Sequence, residues 1–246
     1  MTSHEPRRAP QAPRRLAGLH LLAISLLVAG ASIPLPPDAV VGADVWTKLA
    51  LLGRMLLLVG AATLMLRSAG KRWSDVGLRA PRRWWLSALA VVVGYAALAG
   101  ATLALQGYLL PGLNLKGPDV TAFSGLYADL PEYLFWALPV SLGSAAVGEE
   151  MVARGFLTDR IATLLGGRAP HGAIVLVSVL LQGALFGACH IYQGLSGAIV
   201  TGVVGVVLGL VWLWNGRNLW ACIILHGLVD FISMTAFYTG AVGGAH

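Results

Sequence analysis

Apolar positions in this chain come in long blocks separated by short polar or basic stretches. Apolar runs cover residues 16–33, 46–66, 84–105, 172–192, 195–214 and 219–238, and a longer one covers 132–165. Most are near the roughly 20 residues a helix needs to cross the hydrocarbon core of a bilayer. Pro34, Pro36 and Pro37 close the first run. The run 132–165 is too long for one simple span. Pro139 and Gly143 divide it into a short helix before Pro139 and a longer one over 142–165, which Gly166, Gly167 and Pro170 then end. The pattern predicts an all-α fold, a polytopic transmembrane bundle of about seven helices.

Composition agrees. Of 246 residues, 57% are hydrophobic and 11% charged, whereas soluble domains carry about 25% charged residues. The two cysteines, Cys189 and Cys222, sit in apolar runs and imply no disulfide framework. The net charge of +6 does not indicate a nucleic-acid partner, because its distribution follows membrane topology. Residues 1–15, with Arg7, Arg8, Arg14 and Arg15, read as a disordered basic cytoplasmic N-terminus. Residues 16–110 read as N-terminal transmembrane helices around a basic cytoplasmic loop at 67–83, which holds Arg67, Lys71, Arg72, Arg79, Arg82 and Arg83. Two crossings then put the N-terminus in the cytoplasm, and Arg160, Arg168 and Arg217 fall on the same side. The loop 106–131, with Lys116 as its only basic residue, falls outside. The first run also fits a signal peptide, with a basic start and Ala29-Gly30-Ala31 as a cleavage-like site, but its length favours a retained helix. The chain is thus expected to be an integral, multi-pass membrane protein whose surroundings are the lipid bilayer. Residues 111–240 form the helix bundle that carries its chemistry.

Three polar clusters interrupt that bundle. The first is Glu149-Glu150-Met151-Val152-Ala153-Arg154. A carboxylate at the bilayer centre costs about 2.5–3.5 kcal/mol on insertion scales, so an acid placed there is a functional-site candidate. Residues four apart share a helix face, and Glu before Arg is the favourable order. Glu150 and Arg154 therefore neutralise each other, and Glu149, about 100° round the helix, is left to face a cavity. Such a cluster also serves simply to fix helix packing. The second cluster is Phe186-Gly187-Ala188-Cys189-His190, with Phe186 one turn below the imidazole. The third is His226-Gly227-Leu228-Val229-Asp230, in which a carboxylate four residues on can hold the imidazole in one tautomer. A lone His in an apolar helix is more often a hydrogen-bonded core residue, and His20 is read that way. Two acids, an Arg and two His on successive membrane helices are the types needed to activate a water against an amide. No Gly-x-Ser-x-Gly elbow and no His-Glu-x-x-His helix is present.

The three clusters resemble the CPBP family of intramembrane proteases, which includes the type II CAAX prenyl proteases and the bacterial Abi, or bacteriocin-immunity, proteins. That family's pattern is Glu-Glu-x-x-x-Arg, then Phe-x-x-x-His, then His-x-x-x-Asn or Asp, and order and placement match over residues 120–235. The resemblance implies a membrane endopeptidase acting on a protein or peptide substrate, prenylated or membrane-embedded. It implies that Glu149 and His190 activate the attacking water and that Glu150 with Arg154 organises the site. His226 and residue 230 would stabilise the oxyanion. Many members have Asn where this chain has Asp230, and an ionised Asp donates no hydrogen bond, so Asp230 orients His226 or binds a metal unless it is protonated. The resemblance leaves the cofactor open: Glu149, His190 and His226 would make a His₂Glu set for a divalent metal such as zinc, whereas a glutamate mechanism, the favoured reading, needs no metal.

Two other function classes fit the same residues. One is a non-catalytic scaffold or immunity-type protein that binds a peptide at the polar cluster. The other is a proton relay or small transporter, disfavoured by the lack of an internal repeat. The simple topology also sets a geometric condition. It places His190 near the outer end of its helix and His226 near the inner end of another running the same way. They meet only if the helices are tilted, shifted or broken.

Overall fold

The computed structural model describes residues 11–31, 41–167 and 171–242. Arg7 and Arg8, the stop at Pro34 to Pro37, and Arg168 with Pro170 lie outside them. Every element among the described residues is helical. The long rods are α1 (Gln11–Ala31), α2 (Val45–Ser68), α3 (Trp84–Ala104, continued to Gly112), α4 (residues 130–166), α5 (Gly172–Ala188), α6 (Gly194–Trp214) and α7 (Leu219–Tyr238). Among the described residues five helices are long and apolar enough to cross a membrane: α1, α2, α3, α6 and α7. The expected all-α polytopic bundle is what the chain forms. Helix α1 begins at Gln11, inside the stretch expected to be disordered.

Short polar side chains start the helices. Asp44 Oδ1 accepts from the Trp46 and Thr47 amides, 2.8 and 3.1 Å away, at the start of α2. Asp129 Oδ1 accepts from the Glu132 amide at 3.0 Å before α4, and Asn218 Oδ1 from the Trp220 amide at 3.0 Å before α7. Each carboxylate or amide satisfies an amide that has no intrahelical partner.

The expected division of 132–165 does not occur. Helix α4 runs unbroken through Pro139 and Gly143 because it is wound as a π-helix over Trp136–Glu149 and again over Met151–Leu157. Proline disrupts an α-helix by removing an amide donor and pressing its ring on the carbonyl four residues back. The wider π winding moves that carbonyl out of register, and the helix continues. Likewise α3 passes through a π turn at Leu105–Leu109, so part of the expected outer loop is helical.

Helices α2 and α4 run in the same direction and are joined at both ends. Lys48 pairs with Glu132 where both begin, and Lys71, just past α2, pairs with Asp159 at 2.5 Å near the end of α4. Between these pins, Met55 lies on Gly148: a methyl there would sit 2.3 Å from Met55 Cγ. The antiparallel α5 and α6 meet through small residues. A methyl on Gly187 would lie 2.3 Å from the Ala198 carbonyl oxygen, and one on Gly183 2.5 Å from Val206 Cγ2. Close approach of backbones through small residues is the usual means of helix association in lipid. The start of α7 rests on α4, with Leu219 Cδ1 3.3 Å from a methyl position at Gly155.

Candidate active site

Glu150 and Arg154 lie on the face of α4 turned into the bundle, and neither is exposed at all. Arg154 Nη1 donates to Glu150 Oε1 at 2.8 Å, and its Nη2 donates to the Gly205 carbonyl at 3.3 Å. The guanidinium also lies 4.5 Å from the centre of the Phe186 ring. A buried charge is tolerated only when it is paired and hydrogen-bonded, and here α4, α5 and α6 all contribute to that pairing.

His226 completes the cluster from α7. Its Nδ1 donates to Glu150 Oε1 at 2.8 Å, and its Nε2 lies 3.5 Å from Asp230 Oδ2. Glycine makes this approach possible: a methyl on Gly227 would lie 3.2 Å from Ala146 Cβ, so α7 crosses α4 one turn before Glu150. Both ring nitrogens of His226 thus face carboxylates.

His190 enters from the end of α5. Its Nδ1 is 2.9 Å from the Phe186 carbonyl, an acceptor only, so Nδ1 carries the proton and Nε2 holds the lone pair. That carbonyl is one of those left without a partner at a helix end. Phe186 is the shared surface of the site, with ring centres 4.9 Å from His190 and 6.3 Å from His226. His226 thus reaches Glu150, and His190 lines the cavity that Glu149 also lines. Helix α5 stops at Ala188 instead of continuing to Tyr192, and the rings of His190 and His226 both lie beside Phe186. The polar loop after α3 comes down to the turn that follows, where the Asp119 amide donates to the Gln193 carbonyl at 3.0 Å and Ser196 donates to the Lys116 carbonyl.

Glu149 is half-buried and turned away from the pair behind it. Together with His190 it lines a cavity of about 540 Å³ between α2, α4 and the end of α5. Arg154, Glu150, His226 and Asp230 thus form a linked series of close contacts, and Glu149 and His190 share the adjoining cavity. The His₂Glu metal set does not form: among the described residues no three His, Cys, Asp or Glu side chains gather around one ion position. His226 is held between Glu150 and Asp230 instead.

Other residues of the site lie outside the three motifs. Arg54, Ser144, Trp136 and Tyr192 line the cavity, and the Tyr192 ring is 5.8 Å from His190. Gln182, one turn before Phe186, is fully buried, and neither its nitrogen nor its oxygen has a hydrogen-bond partner. A polar residue interrupting an apolar helix was the signal available for Arg54 and Gln182. Outside the site, His20 is buried and hydrogen-bonds with Ser68 at 3.1 Å.

No curated protein and no solved structure matches the chain. Residues 131–232, which contain all three motifs, match the family model described as Type II CAAX prenyl endopeptidase Rce1-like, the family the motifs resemble, and this match supports a CAAX-type intramembrane protease.

Proposed function

We propose that the chain hydrolyses a peptide bond of a membrane-held substrate, with Glu149 and His190 activating the attacking water. The observation that carries this reading is the separation of the two glutamates. Glu150 is closed into a pair with Arg154 and His226, while Glu149 shares a cavity wall with His190. A prenylated peptide is the substrate class that the description of the matched family suggests.

In the proposed reaction a water is held between the Glu149 carboxylate and His190 Nε2. Glu149 takes a proton as the water oxygen bonds to the scissile carbonyl carbon, and the carbonyl π pair moves to oxygen. Collapse of the tetrahedral species breaks the C–N bond, and the proton passes to the leaving nitrogen. His226 and Asp230 are positioning residues: they hold Glu150 and, through it, the face of α4 that sets the direction of Glu149.

A positioned general base contributes about 10²–10⁴-fold. The test is kcat for a quenched prenylated peptide with purified Glu149→Gln protein. Gln keeps the size and removes the base, so kcat should fall at least about 100-fold with thermal stability retained. Cleavage at the parent rate would eliminate Glu149 as the base, and binding without cleavage by the parent protein would favour a peptide-binding scaffold.

A further inference from the structure

We propose that Arg54 forms a carboxylate-binding subsite in the cavity that holds Glu149, and that it selects peptides presenting a carboxylate beside the bond to be cleaved. The proposal extends the peptide-cleavage reading but concerns binding, which can be measured apart from cleavage. Arg54 lies in α2, outside the segment matched by the family model.

The geometry comes from one close crossing. Met55 rests on Gly148, so its neighbour Arg54 and the neighbouring Glu149 are brought to the same stretch of the α2–α4 interface, and both line the cavity. Ion pairs at the two ends of α2 and α4 hold this register. The remaining wall is mostly apolar, including Leu51, Leu58, Val140 and Val152. A fixed cation in such a wall is costly to keep, and Arg54 is the permanent cation among the lining residues. Any peptide reaching Glu149 with a carboxylate nearby meets repulsion from it. A guanidinium in the same cavity reverses that repulsion, and its planar fork matches a carboxylate in two parallel hydrogen bonds. Arg54 already has a partner in the structure, and its guanidinium carries five N–H donors in all.

Two sources present this chemistry, the C-terminal carboxylate of a peptide and an acidic side chain. The experiment uses full-length protein carrying Glu149→Gln, which keeps the probes intact, and measures binding by fluorescence anisotropy. The probes are a labelled farnesyl-cysteine tetrapeptide ending in a free acid, the same peptide with a C-terminal amide, and the amide with Asp as its last residue. A charge-assisted pair predicts that one or both acidic probes bind about tenfold or more tighter than the plain amide. Adding Arg54→Gln should remove this preference without weakening the amide, and Arg54→Lys should keep part of it. Preference for the free acid alone assigns the terminus, and preference for the Asp probe alone assigns a side chain. Equal binding of all three probes by the Glu149→Gln protein overturns the proposal even if Arg54→Gln does not fold. A preference that survives Arg54→Gln also overturns it. Loss of cleavage activity has no bearing on these readouts, so failure of the protease reading is seen separately in the parent protein.

Discussion

Replacing Gly187 by Ala tests whether the α5–α6 contact sets the position of His190. The added methyl would lie 2.3 Å from the Ala198 carbonyl oxygen, 2.8 Å from Gly202 Cα and 2.9 Å from the Gly202 amide nitrogen. All three are backbone atoms, so no rotamer change relieves the overlap. Ordinary contact begins near 3.4 Å, and 3.4 − 2.3 leaves a deficit of 1.1 Å that the two helices must supply by separating. Overpacking of this kind costs about 1–3 kcal/mol, which at this chain length corresponds to a lowering of roughly 4–8 °C in Tm for a mid-range cost. His190 follows three residues later and is anchored to the Phe186 carbonyl, so it moves with α5. A displacement of about 1 Å costs roughly 100-fold in a positioned reaction. The assays are thermal unfolding in detergent and cleavage of the quenched peptide. Gly100→Ala in α3 is the control: its methyl meets nothing within 4 Å, and it should keep the parental Tm and kcat. A Gly187→Ala protein with parental Tm and parental kcat would refute the close-contact argument.

Arg154→Leu leaves Glu150 with a single partner in a fully buried site and should lower stability by about 3–5 kcal/mol, measured by denaturation; combining it with Glu150→Gln should restore part of the loss. Asp230→Asn keeps a polar group against His226 Nε2 and should hold kcat within about threefold of the parent, whereas Asp230→Leu should reduce kcat by roughly tenfold or more; equal activity of the two variants would remove Asp230 from the site.

Contacts within one helix were legible in the sequence. Glu150 and Arg154 are four apart, and their 2.8 Å bond follows from helix geometry. The packing of Phe186 beside His190 was expected from the same spacing, although α5 ends two residues before His190. The apolar blocks likewise marked where the rods lie, because the bilayer fixes their length. Contacts between helices were not legible, since they depend on where small residues let backbones approach. Nothing in the spacing of Gly227 or Ala146 says that they face each other, yet their contact is what delivers His226 to Glu150. Pro139 misled for a related reason: proline ends an α-helix, but α4 is wound differently there. The early end of α5 at Ala188 was hidden as well, because Cys189, His190 and Ile191 read as a continuing apolar run.

The adjacent glutamates show why the site needs two acids and not one. A single carboxylate cannot both pair with Arg154 in the closed interior and face the cavity, and Glu150, engaged by Arg154 and His226 through Oε1, is fully buried. Two consecutive residues on a helix solve this because about 100° of rotation separates them. One side chain enters the packed face, where Arg154 and His226 engage it. The other turns to the cavity at the seam with α2. The buried glutamate, with Arg154, then fixes the rotation of α4 against α5, α6 and α7, and that rotation aims the half-buried one. On the proposed mechanism, a substitution at Glu150 acts on catalysis indirectly, through the orientation of α4, whereas one at Glu149 acts on the proton itself.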